Sequence, residues 1–256
     1  FFAVLDSGER VIDGVYDLDI SVGRLPVYTT EEFRNYVQKA KDYEQLGVMD
    51  NSSWRSNFLM TADDGKNLVK DEAYHTNIME RTIGVIDSIG RNKNERWNFK
   101  RVYLVEYLED AAGQKKDAAV DFMNVLNQGA LMTLYYGHGS KTDWAAEGLL
   151  KASYSNRLDN KGRYTILGSF SCTVGRFDDG GTRSLSEEFL VAKNAGSIAS
   201  IGATRESYAG HNENLAKSFL RYSLLDKNVK IGDAFFKAKG ALVGTHGSGR
   251  FNSESY

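Results

Sequence analysis

Short apolar runs alternate with segments of helical pattern along most of this 256-residue chain, and that rhythm leaves few folds open. The runs are too evenly apolar to be half-exposed, which is the pattern of strands covered on both faces of a parallel sheet. Parallel strands need crossover connections, and helices supply them. The pattern predicts strands over 57–61, 101–106, 130–136, 164–170 and 197–201, with helices over 30–46, 71–89, 115–126 and 184–193 and a final pair spanning 215–240. Thr30, Glu31 and Glu32 suit an N-cap followed by first-turn acids. A polar stretch over 50–53 reads as a hinge, and an acidic turn, Asp63-Asp64-Gly65, follows the first of these strands. The fold expected is α/β, a mostly parallel sheet flanked by helices on both faces.

Two strand ends carry reactive side chains. The run 164–170 delivers the only cysteine, Cys172, to its carboxyl edge, because Gly175, Asp178, Asp179, Gly180 and Gly181 cannot continue a central strand. The run 130–136 likewise ends in Gly137-His138-Gly139-Ser140. A lone cysteine is ordinarily a small buried hydrophobe and a lone histidine a satisfied polar group. Here the flanking glycines let the backbone come close to a ligand, and carboxyl edges of open α/β sheets are where ligands bind. A free thiol is mostly protonated at neutral pH, so an imidazole that takes its proton makes it a nucleophile. The backbone N–H groups of Gly139 and Cys172 are the candidates for holding an acyl-transfer oxyanion.

Composition narrows the alternatives. Hydrophobic residues make up 41% and charged residues 26% of a chain long enough to bury roughly three quarters of its unfolded surface, as a globular enzyme does. The formal net charge of -2, with basic and acidic residues interspersed, argues against nucleic acid or an anionic membrane as partner. The longest stretch without a full charge, 122–140, is broken by Asn124, Asn127, Gln128 and Gly129 and reads as helix end, turn and strand rather than a membrane span. The first residues, Phe1 to Leu5, already read as strand, so the chain is expected to be a piece of something longer. No cofactor or metal is expected. His75, His211 and His246 lack zinc-ligand spacing, and Asp178 and Asp179 offer fewer oxygens than calcium takes.

The stretch Gly137-His138-Gly139-Ser140-Lys141-Thr142-Asp143-Trp144, followed by Ser171-Cys172, resembles the gingipain-type cysteine peptidases, whose catalytic domain is caspase-like. His138 and Cys172 match that family's catalytic dyad. The segment Asp17-Leu18-Asp19-Ile20-Ser21-Val22-Gly23-Arg24-Leu25-Pro26-Val27 is similar to the family's junction between two subdomains, and its wording lies nearest the PorU type, the sortase-like signal peptidase of the type IX secretion system. The resemblance implies that residues 1–50 are the end of a first subdomain plus a hinge helix and that 51–256 form the catalytic caspase-like subdomain. It also implies a histidine-orienting carboxylate at Asp63, where the family has glutamate, a substrate-reading carboxylate at Glu72, and an aromatic pocket wall at Tyr208.

By the same resemblance, the chain is expected to be exported to a bacterial cell surface or outer membrane. There it would cleave C-terminal sorting domains from exported proteins and pass the acyl group to an amine on a lipopolysaccharide, in company with other type IX secretion components. A gingipain-like degradative endopeptidase is the second expectation. A catalytically silent caspase-like docking module is the third, and it leaves the intact His138 and Cys172 without a use.

Overall fold

A computed structural model describes residues 20–49, 53–64, 73–226, 228–243 and 256. Its centre is a sheet of five parallel strands: β1 (Asn57–Ala62), β2 (Asn98–Tyr103), β3 (Met132–Tyr136), β6 (Thr165–Phe170) and β7 (Ser197–Gly202), in the spatial order β2-β1-β3-β6-β7. β4 (Asp143–Trp144) and β5 (Leu150–Lys151) form a separate antiparallel hairpin within the connection from β3 to β6, which the sequence presents only as a long loop with a short helix. That short helix is a 3-10 turn over Ala152–Arg157.

Alternate residues of the central strands feed two cores. Phe58, Met60, Met132, Leu134, Tyr136, Ile166 and Phe170 face α2 (Tyr74–Lys93), α5 (Ala209–Leu225) and α6 (Ile231–Val243). Leu59, Tyr135 and Leu167 face α3 (Lys116–Gln128), α4 (Leu185–Val191) and the hairpin. Strands covered on both sides can be apolar at every position, which is why these runs are so evenly hydrophobic. The expected three-layer α/β architecture is therefore present.

Among the boundaries that differ from the sequence pattern, those of β2, α5 and the α1 cap have a local reason. The second strand was expected over 101–106, yet β2 begins at Asn98 and gives way at Leu104 to a 3-10 turn. β1 pairs with it from Asn57↔Asn98 to Ala62↔Tyr103 and has no residue left beyond Tyr103, while the Leu104 carbonyl accepts from Lys115 Nζ at 2.7 Å. α5 starts at Ala209 rather than 215, because Asn212, which reads as loop, donates from Nδ2 to Ser207 Oγ at 3.0 Å and anchors the first turn. The cap of α1 (Thr30–Met49) is Thr29, not Thr30: Thr29 Oγ1 accepts from Glu32 N–H at 3.2 Å, and the Glu32 carboxylate accepts from the N–H groups of Tyr28 and Thr29.

α1 lies against the edge strand β7 and the end of α4. Tyr36 Oη donates to the Ile198 carbonyl at 3.1 Å, and Lys39 Nζ donates to the carbonyls of Phe189 and Leu190 at 3.4 and 3.0 Å. Residues 20–28 hold no helix or strand. The expected strand at Phe1 to Leu5, most of the hinge over 50–53, Glu72 and His246 lie outside the described residues.

Candidate active site

The chain runs outward from β1 to β2 and then returns to the other side of β1 to build β3, β6 and β7. In a doubly wound sheet the crevice beyond the carboxyl ends at such a reversal is the ligand site. Asp63 leaves β1 and His138 leaves β3 on the two sides of this point. The register aligns Ala62 with Tyr136 and Tyr136 with Phe170, so His138 and Cys172 each stand two residues beyond a matched pair on neighbouring strands. Adjacent strands are about 4.8 Å apart, and the register alone brings the imidazole-bearing and thiol-bearing segments side by side.

Packing presses these segments together. A Cβ on Gly139 would lie 2.7 Å from Ser171 Oγ and 3.0 Å from the Cys172 carbonyl oxygen. One on Gly137 would lie 2.3 Å from Asp63 Cβ. Only glycine fits at either position, which accounts for the Gly-His-Gly sequence. Gly139 forms an isolated antiparallel bridge with Trp144, in which Ala145 N–H donates to the His138 carbonyl and Ser140 N–H to the Asp143 carbonyl. In that pattern the N–H of Gly139 points away from the hairpin. Neither it nor the N–H of Cys172 has a backbone partner among the described residues.

The Asp63 carboxylate holds this loop. Its Oδ2 accepts from His138 N–H at 2.9 Å and its Oδ1 from Asp64 N–H at 2.9 Å, while Asp63 N–H donates to the Tyr136 carbonyl. Below it, Tyr135 stacks on Trp144 at 4.4 Å between centroids, and Tyr135 Oη donates to the His138 carbonyl at 2.7 Å. Burial, followed by the charges of Asp63 and Glu147, pushes the Tyr135 phenol well above its usual pKa, so it stays a donor. Asp64 is buried against Lys115 at 2.5 Å.

The thiol is partly buried and meets the loop before α5: it donates to the Ser207 carbonyl and accepts from Ser207 N–H, both at 3.4 Å. No hydrogen bond joins it to His138 among the described residues, and His138 Nε2 is buried without a partner. The next residue, Thr173, takes a left-handed φ of 54°, and Val174 N–H turns back onto the Cys172 carbonyl at 2.7 Å. Such a turn lifts Cys172 out of the strand direction, and a non-glycine residue in this conformation stores backbone strain beside the thiol. No sequence signal marks it.

The site residues expected from sequence divide as follows. Asp63, His138, Gly139 and Cys172 come together at the β1, β3 and β6 ends. Tyr208 is 59% exposed and adjoins Ser207, the thiol's partner, with its ring edge-on to His211. Asp178 and Asp179 are engaged by Arg205 and Lys141 rather than arranged as a cation site. His75, expected to be non-catalytic, packs edge to face on His138 at 5.3 Å. Burial, the largest influence, lowers its pKa and keeps the ring neutral. Tyr256 is a second unforeseen contact, donating from Oη to the Ser169 carbonyl beneath the thiol loop.

The profile described as Peptidase family C25 matches residues 1–256. Among curated relatives, Lys-gingipain W83 of Porphyromonas gingivalis is 25% identical over 210 residues, covering 82% of this chain and 11% of the relative. Lys-gingipain HG66 of the same species is 23% identical over 209 residues, again 82% of this chain and 11% of the relative. Among solved structures, the Arg-specific cysteine proteinase gingipain R superposes with a TM-score of 0.70 at 17% identity, covering 93% of this chain and 54% of the other. The complex of Porphyromonas gingivalis RgpB pro- and mature domains gives 0.68 at 14% identity, covering 93% and 55%. The chain thus spans about a tenth of the length of its curated relatives and about half of the solved chains, whose likeness is one of fold.

Proposed function

The chain belongs to peptidase family C25, a family of cysteine peptidases, and on that premise we propose that it cleaves peptide bonds through a thioester on Cys172. The observation that carries this is the register: His138 and Cys172 stand at matched positions beyond adjacent strand ends, with Gly139 pressed against the Cys172 carbonyl. In the reaction, Cys172 Sγ bonds to the substrate carbonyl carbon while His138 takes the thiol proton. The oxyanion sits between the N–H groups of Gly139 and Cys172, with the Asp63 carboxylate keeping the His138 loop in place. Collapse of the adduct breaks the peptide C–N bond, and the proton passes from His138 to the leaving amine. Water or an acceptor amine then attacks the thioester and returns the thiol.

Two uses of this chemistry are open. The wording of the segment containing Leu18 to Val27 supports a sortase-like enzyme. On this reading it is exported to the cell surface, removes C-terminal sorting domains from type IX cargo and transfers the acyl group to an amine of a surface lipopolysaccharide. The Lys-gingipain relatives support a hydrolytic endopeptidase acting after basic residues, with Glu72 and Tyr208 as the proposed substrate-reading groups. Labelling by an acyloxymethyl ketone bearing lysine or arginine at the reactive position, read by intact-protein mass spectrometry, tests the shared chemistry. Modification confined to Cys172 and lost in Cys172→Ala is expected; modification elsewhere, or none with any probe side chain, counts against it. Adding a primary amine to a peptide substrate separates the uses, since only transfer yields the amide product.

A further inference from the structure

His75 is the buried group that acyl transfer leaves without a task. It sits in the first turn of α2 at 4% exposure, with its ring edge-on to His138 at an interplanar angle of 86°. Buried imidazole nitrogens normally have hydrogen-bond partners. His75 Nδ1 and His138 Nε2 are both buried and have none among the described residues. Asp63 completes the group: one of its carboxylate oxygens and one nitrogen of each ring all lie within 4.8 Å of one another. The three donors come from the end of β1, the start of α2 and the loop after β3, so only the folded chain assembles them.

We propose that Asp63, His75 and His138 form a reversible binding site for a divalent metal ion of the zinc type, and that filling it switches the peptidase off by withholding His138 from Cys172. The second half rests on the acyl-transfer reading; the first does not. Two imidazoles and a carboxylate are a zinc donor set, whereas calcium and magnesium take oxygen almost throughout. Zinc bonds of about 2.0–2.2 Å place tetrahedral donors roughly 3.4 Å apart, a contraction within reach of side-chain rotation. The carboxylate is already oriented by the N–H groups of Asp64 and His138, the supporting shell that metal ligands need. The neighbouring trio of Asp63, Asp64 and Glu147 differs, because the Lys115 ammonium already bonds Asp64 there. An imidazole nitrogen whose lone pair is on a metal cannot accept the thiol proton.

The test uses the full chain with Cys172→Ala and Co²⁺ as a coloured substitute for Zn²⁺. One equivalent is expected to bind with visible ligand-field absorption and to be displaced by Zn²⁺, and His75→Gln is expected to weaken binding about tenfold or more. Loss of binding in Cys172→Ala itself would put the ion on the thiol and overturn the site; unchanged affinity in His75→Gln would do the same. Because His75 is buried, His138→Gln on the half-buried loop serves as a second variant and must lose the ion as well. In the chain with its thiol, Zn²⁺ is expected to slow alkylation of Cys172 by iodoacetamide, and His75→Gln to escape that slowing. A rate indifferent to bound metal overturns the switch. Intact metal binding in a chain that no peptide probe labels counts against the peptidase reading alone.

Discussion

Cys172 and His138 are ordinary side chains made useful by what surrounds them. The thiol is held by Ser207 and the imidazole by its own backbone, whose N–H donates to Asp63 and whose carbonyl accepts from Tyr135. In the proposed mechanism Asp63 acts through His138, as a positioning residue. Asp63→Asn keeps an oxygen for the His138 N–H but removes the negative charge from beside both rings. Turnover is expected to fall about 10²-fold or more with little change in KM. Unchanged turnover in Asp63→Asn would reduce Asp63 to a structural loop anchor. At this scale the sequence placed Cys172, His138 and Asp63 just beyond strand-like runs, and the fold brings those ends together. The sequence was blind to His75, whose neighbour on the far side of the site is separated from it by two strands and two helices.

Among elements, the meeting of the β3 and β6 ends matters most. Both strands stop at the same level, and the loops beyond them touch where Gly139 meets Ser171, Cys172 and Val174. Gly139→Ala would force a Cβ to within 2.7 to 3.0 Å of these neighbours. It should separate the loops, costing about 1–3 kcal/mol of stability and slowing both probe labelling and turnover. Gly84→Ala is the matched control: its helix position on α2 has open space, and it should stabilise by about 0.5–1 kcal/mol with labelling unchanged. Equal labelling in both variants would show that close approach of the loops is dispensable. The misplaced edge of β2 belongs to this scale too. Val102 and Leu104 are both buried and alternate as in a strand, but pairing ends where β1 ends.

Across the whole molecule, α1 ties the sheet's β7 edge to α4 through Lys39, which is 1% exposed and donates to two helix-end carbonyls. Burial lowers its pKa to about 7. In the unfolded chain this lysine keeps its proton up to about pH 10.4. Between about pH 7 and that value the unfolded state therefore holds more protons, and stability from this group rises with pH; below about 7 both states are charged and the burial cost is borne in full. Urea midpoints measured from pH 6 to 9 should climb more steeply in the natural chain than in Lys39→Met. Parallel slopes in the two proteins would mean the folded lysine titrates normally.

Local sequence was sufficient to determine that the chain is a layered α/β protein and that a thiol and an imidazole cap two of its buried strands. Both properties follow from short-range hydrophobic pattern and from glycines that end strands, and these are written along the chain. Folding alone decided which strands are neighbours, where the chain reverses beside β1, and hence that Asp63 and His138 flank one crevice with Cys172 alongside. It also decided that His75 joins them and that a hairpin lies beneath the histidine loop. Such contacts depend on register and layer packing between segments tens of residues apart, and no local spacing encodes them.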